Sequence, residues 1–262
     1  MGLETEASGD QSFAAGSQTI ASGFASVATG DRTTASGTSS TAIGSRATAS
    51  GGVSTAMGNL ATASADNSIA MGYFATASEM FSTAIGAIAT ASGINATAIG
   101  PNTTASGSSS TALGRNTTAK SYAETAIGAY NTNYTPTSST SWELTDRLFT
   151  IGNGSSSSST SNAMVVLKNG NTAIGNINPT TKLDVDGQLR VRGGSPAAGK
   201  VLTSDANGLA TWETVAPASG TLDEAYDFGG AGAGREIIAT DGAVSIAGQD
   251  GFQVTGTYGS GD

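Results

Sequence analysis

Thr41-Ala42-Ile43-Gly44 recurs at 55–58, 69–72, 83–86, 97–100, 111–114 and 125–128, always fourteen residues further on. Looser copies end at Gly30 and Gly16, so the period fills about the first half of the 262 residues. Midway between these tetrapeptides sits a second one, Thr34-Ala35-Ser36-Gly37, echoed at 48–51, 62–65, 76–79, 90–93 and 104–107. Each repeat is therefore two seven-residue halves. A unit this short cannot bury a core alone and must stack on its copies.

Seven residues is also the coiled-coil heptad, but the composition rejects a helix. The segment is Ala, Thr, Ser and Gly. A Gly every seven or fourteen residues costs roughly 1 kcal/mol each in a helix, and no Leu/Ile seam with flanking Glu and Lys offsets it. Strands of four or five residues closed by a Gly fit each half, because Thr and Ile favour extended backbone and Gly accepts a positive φ. Two strands then make one rung. Nine rungs stacked about 4.8 Å apart predict a rod about 40 Å long with identical side chains in ladders.

Alternation assigns the faces: Thr41 and Ile43 point one way, Ser40 and Ala42 the other, and Thr48 and Ser50 oppose Ala47 and Ala49. A rung lined by Ala and a single Ile, Met or Leu encloses little apolar volume. Self-association is the expected remedy: three chains facing the ladder Ile43, Met57, Met71, Ile85, Ile99, Leu113 and Ile127 toward a common axis. The matching glycines, Gly44, Gly58, Gly72, Gly86, Gly100, Gly114 and Gly128, are expected to form the structural turn ladder beside it.

The composition, with 37 Gly, 12% charged and 6% aromatic residues, is unlike that of a globular enzyme and favours an elongated protein. A net charge of −9 argues against nucleic acid and anionic membranes as partners. With no Cys there are no disulfides, which permits an oxidising compartment. The start, Met1-Gly2-Leu3-Glu4-Thr5-Glu6, has neither the basic nor the apolar region of a signal peptide. No apolar run approaches membrane-spanning length.

After Gly128 the repeat gives way to a polar connector, 129–145, that reads as a neck. Leu148-Phe149-Thr150-Ile151 is a predicted strand, followed by a serine-rich loop at 155–159. Residues 163–167 and 172–175 read as a hairpin about Asn169-Gly170, a type I′ signal. A second hairpin is expected from 182–185 and 188–191 about Asp186-Gly187, and further short strands at 201–203 and 210–212 about Asn207-Gly208. Asp241-Gly242 and Asp250-Gly251 suggest two more turns between short strands. The segment 221–262 is Gly-rich and stops without the cap a fibre normally carries, which points to a truncated or processed end or to a continuation.

Ser40-Thr41-Ala42-Ile43-Gly44 and Ser82-Thr83-Ala84-Ile85-Gly86 resemble the SVAIG-like motif of YadA-type trimeric autotransporter adhesin heads, over about residues 8–128. In that family the motif builds trimeric, left-handed β-rolls. Thr stands here where Val is usual, which weakens the apolar face. Residues 146–213, with Lys168-Asn169-Gly170-Asn171-Thr172-Ala173-Ile174-Gly175 and Lys182-Leu183-Asp184-Val185-Asp186-Gly187, resemble the shafts of phage tail-fibre-like proteins. The two resemblances imply fibre architecture and leave the mode of attachment open.

His is absent, so His-based triads, bases and metal sites are excluded. Asp223, Glu224 and Asp227 are the densest carboxylate cluster, and a solvated acidic turn explains them better than a glycosidase pair. The glycine run at 230–234 lacks the Lys-Ser/Thr of a phosphate loop. Calcium-binding rolls need Asp in each turn, whereas Ser45, Asn59 and Pro101 follow Gly44, Gly58 and Gly100. Tyr73, Phe74, Met80 and Phe81 interrupt the small-residue pattern and read either as an exposed aromatic contact patch or as a local bulge filling the groove of the trimer; the second is expected, because large apolar side chains are more often buried.

The expected protein is all-β: a fibrous homotrimer with a parallel β-solenoid of 14-residue rungs at 1–128, a neck at 129–145, an intertwined β-stalk at 146–220 and a Gly-rich β-repeat segment at 221–262. Its expected work is non-enzymatic attachment to a cell-surface receptor or glycan, with no cofactor or metal. The expected setting is extracellular, on a virion tail or bacterial surface. The alternative is an ice-binding face made of stacked Thr ladders, Thr41, Thr55, Thr83, Thr97, Thr111 and Thr125 or Thr48, Thr62, Thr76 and Thr90. Ile69 breaks the first ladder, and Arg46, Glu79 and Arg115 lie between rungs.

Overall fold

A computed structural model describes residues 2–214 and divides the chain into two units, 1–189 and 190–262. In the first unit each fourteen-residue repeat is one turn of a coil. One half forms a strand of three to five residues, such as Thr41–Ser45 or Thr83–Ile85, and the other a strand of only two, such as Thr48–Ala49. The two kinds stack separately. Nine two-residue strands from Glu6–Ala7 to Thr118–Ala119 make one parallel sheet, and the longer strands from Phe13–Ser17 to Thr125–Ala129 begin a thirteen-stranded one. Register is exact at fourteen residues: Thr41 pairs Thr55, Ala42 pairs Ala56 and Thr48 pairs Thr62. Among the described residues no helix forms.

Alternation explains why the two sheets approach so closely. Ala42 and Ala49, with their copies from Ala21 to Ala126, are completely buried between them, beside Ser40 and Ala47. No interior side chain of the periodic rungs before Glu124 is larger than Thr. The Ile, Met and Leu ladder does not share this interior. It stands on the outer face of the longer-stranded sheet, so the lining of these rungs is Ala, Ser and Thr only.

The turns carry the finding that the repeat did not announce. Every seventh residue from Glu4 to Tyr130 adopts a left-handed φ of about +46° to +60°, and none of the nineteen is Gly. Ser39, Arg46, Val53, Leu60, Asn67 and Phe74 all hold this conformation, which costs most L-residues roughly 1–2 kcal/mol. Stacked hydrogen bonds hold it in place, for example from Arg46 N–H to Asp31 C=O, 2.7 Å, and from Phe74 N–H to Asn59 C=O, 2.9 Å. These left-handed turns bound both strands of a rung, and the second strand is two residues long rather than the four or five expected. The glycine closing the long strand has a different role. Gly86, at φ +134°, would place a Cβ 2.6 Å from the carbonyl oxygen of Gly100 in the next rung, so a side chain there is blocked by backbone as well as strained.

The sheet does not end with the repeat. Strand Arg147–Asn153 pairs in parallel with Thr125–Ala129, Thr125 opposite Phe149, so one rung lengthens from fourteen to twenty-four residues. The excess forms a loop whose Ser138 and Ser139 carbonyls accept hydrogen bonds from Tyr122 and Ser108 N–H of the last rungs. Asn131 then ends the two-residue sheet: its side-chain amide accepts from Thr118 N–H at 2.8 Å and donates to Thr118 C=O at 2.9 Å, in place of a further strand.

The hairpin read at 163–175 is present as Asn162–Leu167 against Thr172–Ile174. Its turn is not type I′, because of the two turn residues only Gly170 has a positive φ. Gly170 N–H donates to Leu167 C=O and Leu167 N–H to Asn171 C=O, giving a three-residue loop with Gly170 in the left-handed position. The hairpin expected about Asp186-Gly187 does not form. Strand Leu183–Val185 instead runs parallel to Thr172–Ile174, and 188–191 is not a strand. The free edge of 172–174 offers Leu183–Val185 a ladder of hydrogen bonds, whereas Leu189, 69% exposed, has nothing to pack on.

In the second unit, the short strands expected are present as Lys200–Ser204 and Ala210–Thr214, which pair as an antiparallel hairpin with Leu202 opposite Trp212. Asp205 Oδ1 accepts from Asn207 and Leu209 N–H, and Gly208 takes φ +81°. The turns expected at 241–242 and 250–251 lie outside the described residues.

Candidate interaction surfaces

The ladder expected as a contact face is continuous and longer than its sequence signal. Ile43, Met57, Met71, Ile85, Ile99, Leu113 and Ile127 pair rung to rung in register. Ile127 then pairs Ile151, which pairs Met164, then Ile174, then Val185, across parallel and antiparallel strands alike. The result is an apolar spine of eleven side chains along one outer face, from Ile43, 36% exposed, through Leu113, 46%, to Val185. Beside its last four members runs a second column, Phe149, Val166, Thr172 and Leu183. The extension escaped the periodicity because the twenty-four-residue rung shifts every later residue out of phase. The glycine ladder lies next to the spine, Gly44 opposite Gly58 and Gly114 opposite Gly128.

The opposite sheet presents hydroxyls. Thr34, Thr48, Thr62, Thr76, Thr90, Thr104 and Thr118 pair in one unbroken column. The residues that interrupt the sequence lie elsewhere: Ile69 and Arg115 belong to the other sheet, and Arg46 and Glu79 to the turns.

Tyr73, Phe74, Met80 and Phe81 are 44–53% exposed in the single chain. The interior beside them is lined by Ala, Ser and Thr, so these large side chains stand outside it. Phe74 and Phe81 occupy left-handed turn positions at the two corners of a rung, and the Tyr73 and Phe74 rings meet edge-on at 4.6 Å.

Charge enters the core only where the repeat ends. Glu124 takes the interior position that Ser40, Ser54 and Ser110 fill in other rungs, and is fully buried. Its Oε2 accepts from Lys120 N–H at 2.8 Å, Ser121 N–H at 3.0 Å and the Tyr134 hydroxyl at 3.2 Å, and Oε1 accepts from Thr150 at 3.5 Å. Burial pushes its carboxyl above the ordinary carboxylate range, against the lowering effects of those backbone donors and of the Arg147 guanidinium. Arg147, itself held below its usual pKa by burial, stacks 4.1 Å from the Tyr134 ring and donates to Thr132 C=O at 2.7 Å. Burial and the neighbouring Glu124 also raise the Tyr134 hydroxyl. Lys168, lowered by desolvation, donates to Ser121 Oγ at 3.2 Å and lies 5.5 Å from the Trp142 ring. Asp146 accepts Thr137 and Ser138 N–H, tying the loop down.

Each of Glu124, Asp146, Arg147 and Lys168 has a partner inside the fold, and together they cap the coil. A cleft of about 490 Å³ beside it is lined by Tyr134, Arg147, Leu167, Ile177 and Pro179. Among the described residues no group of three His, Cys, Asp or Glu is placed to hold a metal ion. Asp223, Glu224, Asp227 and the glycine run at 230–234 lie outside the described residues.

Comparison with known families agrees with this geometry. Residues 14–38, 35–61, 49–75, 63–87 and 91–117 match the model of the YadA head domain repeat, which spans two repeat copies. The periodic rungs are therefore YadA-like head repeats in a parallel β-solenoid. No curated protein matches the chain.

Proposed function

We propose that the chain is a non-enzymatic, trimeric fibre protein that attaches its bearer to a surface or host receptor, glycan or protein. The observation that carries this reading is the eleven-residue apolar spine on one outer face of a solenoid whose periodic rungs before Glu124 hold nothing larger than Thr inside. At about 25 cal/mol per Å², burying that spine among three copies supplies the apolar core each copy lacks. The YadA head repeat match supports a trimeric adhesin and a bacterial cell surface; a phage tail fibre is the related reading, resting on the resemblance at 146–213. Within this proposal 1–128 is the head, 129–145 the connector, 146–220 a stalk and 221–262 a further repeat segment. Threefold avidity lets weak contacts hold without chemistry.

Light scattering on the full chain tests the assembly. A mass of three times 25.6 kDa is expected, and a 25.6 kDa particle overturns the fibre reading. Binding of the labelled protein to cells and to immobilised glycans tests attachment. Sugar released from incubated polysaccharide would overturn the non-enzymatic part.

A second reading, ice binding, is favoured by one observation: the Thr34–Thr118 column is unbroken on a sheet whose outer face carries none of the interrupting charges. Thermal hysteresis in the wild-type protein, lost on replacing Thr62 and Thr76 by bulky residues, is the outcome that would install it.

A further inference from the structure

We propose that an apolar belt at the two rungs 69–82 and 83–96 locks neighbouring copies of this chain edge to edge. The corner of one copy bearing Tyr73, Phe74 and Ile88 seats against the corner of the next bearing Met80, Phe81 and Ile94. The proposal rests on the trimeric reading and names the contact that closes the ring.

The first observation is local strain. Phe74, Phe81 and Ile88 hold left-handed φ values of +53°, +57° and +59°, a conformation that bulky and β-branched residues avoid and Asn tolerates. The same turn positions in nearby rungs are Val53, Leu60, Asn67, Asn95, Asn102 and Asn116, four of the six being Asn. Large apolar groups at these two rungs therefore oppose the preference of the backbone. They are also about half exposed in the single chain, Phe74 at 44% and Phe81 at 53%, so the stacked backbone hydrogen bonds hold the turn but burial of these side chains adds little to offset the strain.

The second observation is height. Tyr73, Phe74 and Ile88 follow the longer strands of the coil, and Met80, Phe81 and Ile94 precede them, so the two groups flank the spine-bearing sheet on opposite sides. Both become apolar at the same two rungs. In the neighbouring rungs at most one corner is apolar: Val53 goes with Arg46, Leu60 with Asp66 and Asn67, and Asn102 with Ser108 and Ser109. A foreign partner needs one sticky corner. Two unlike corners at one height are what a closed ring of identical, parallel copies requires, because each copy presents its first corner to the second corner of the next. Turning the spine toward the ring axis brings these corners together.

The chain has no cysteine, so the contact can be trapped. In the double variant Phe74→Cys/Phe81→Cys, the two thiols of one chain are separated by an extended stretch of roughly 13 Å, too far for a bond within one copy. Mild oxidation is expected to yield a covalent trimer on a non-reducing gel, while either single variant stays uncross-linked. A second pair, Phe74→Asn/Phe81→Asn, reads the sign of the effect. If the side chains are buried between copies, the trimer melts lower and dissociates at a concentration at least tenfold higher. If they face only water, Asn relaxes the turn and the melting temperature rises. Covalent trimer together with a lowered melting temperature supports the belt. A trimeric wild-type chain whose double Cys variant does not cross-link to three, or whose Asn pair melts higher, overturns the belt and leaves the trimer standing. A monomeric wild-type chain overturns both.

Discussion

The coil at residues 13–129 and its continuation at 147–185 share one sheet and one apolar spine, yet are filled by opposite means. The periodic part is lined by Ala, Ser and Thr, with Ala42 and its copies at no exposure. The end holds Glu124, Asp146, Arg147 and Lys168, all buried or nearly so. Stacked copies leave no unmatched backbone between rungs, so the interior needs only small apolar groups. The last rung has no copy above it, and its freed donors at Lys120 and Ser121 take a carboxylate as partner. The sheet that continues needs no such cap, and its spine passes unchanged from Ile127 to Ile151. Periodicity thus solves the middle of a solenoid, and its ends need side-chain chemistry.

The largest break in this contrast is expected from Glu124→Ala. It strands two backbone donors and leaves Arg147 without its neighbouring charge, at a cost of about 3–5 kcal/mol in denaturant unfolding. Ala70→Leu in the periodic part follows, destabilising by about 3 kcal/mol because two backbone sheets leave no room to repack. A cost below about 1 kcal/mol would show that the sheets can part. Gly86→Ala is next, about 2 kcal/mol, from φ +134° and the Gly100 carbonyl; melting curves against wild type measure it.

A pH series sharpens the electrostatic half of the comparison. The folded-state pKa of Glu124 is raised, so between that value and the unfolded value of 4.5 the folded chain binds the extra proton. Stability is therefore expected to rise as pH falls through this window, by the linkage relation. Arg147, Tyr134, Thr150 and the Lys120 and Ser121 amides surround the carboxyl. Glu124→Gln, which keeps an acceptor for those amides, should remove that part of the slope, and an unchanged slope would mean that another group carries it. The smallest effect is expected at the turns, where Arg46→Asn should stabilise by up to about 1 kcal/mol through easier access to φ +56°.

Much of the fold was legible because a fourteen-residue period states its own register. Once Thr41 is set against Thr55, the position of every strand to Ala129 follows, and so does the buried set at Ala42 and Ala49. The hairpin at 162–174 was legible from Asn169-Gly170. The pairing of Leu183–Val185 was not, because a three-residue strand accepts either neighbour and alternation alone does not rank them. Tyr73, Phe74, Met80 and Phe81 were legible as a departure from the small-residue pattern but not as the two corners of one rung, because the place of a turn depends on how the chain coils. Glu124 gave no signal at all: in sequence it is one more residue before Thr125-Ala126-Ile127-Gly128, and its meaning depends on Arg147 and Thr150, which reach it from beyond the connector.

The sequence by itself determined the rung, its two strands, the inward Ala and the outward Ile, since side-chain alternation and a fixed repeat are local properties of the chain. Only the tertiary structure decided what happens where copies run out: the twenty-four-residue rung, the Asn131 and Glu124 caps, the left-handed turns at every seventh residue and the spine extended to Val185. These depend on which backbone groups the stacking leaves unpaired and on how closely the two sheets approach, and neither quantity exists until the chain has coiled.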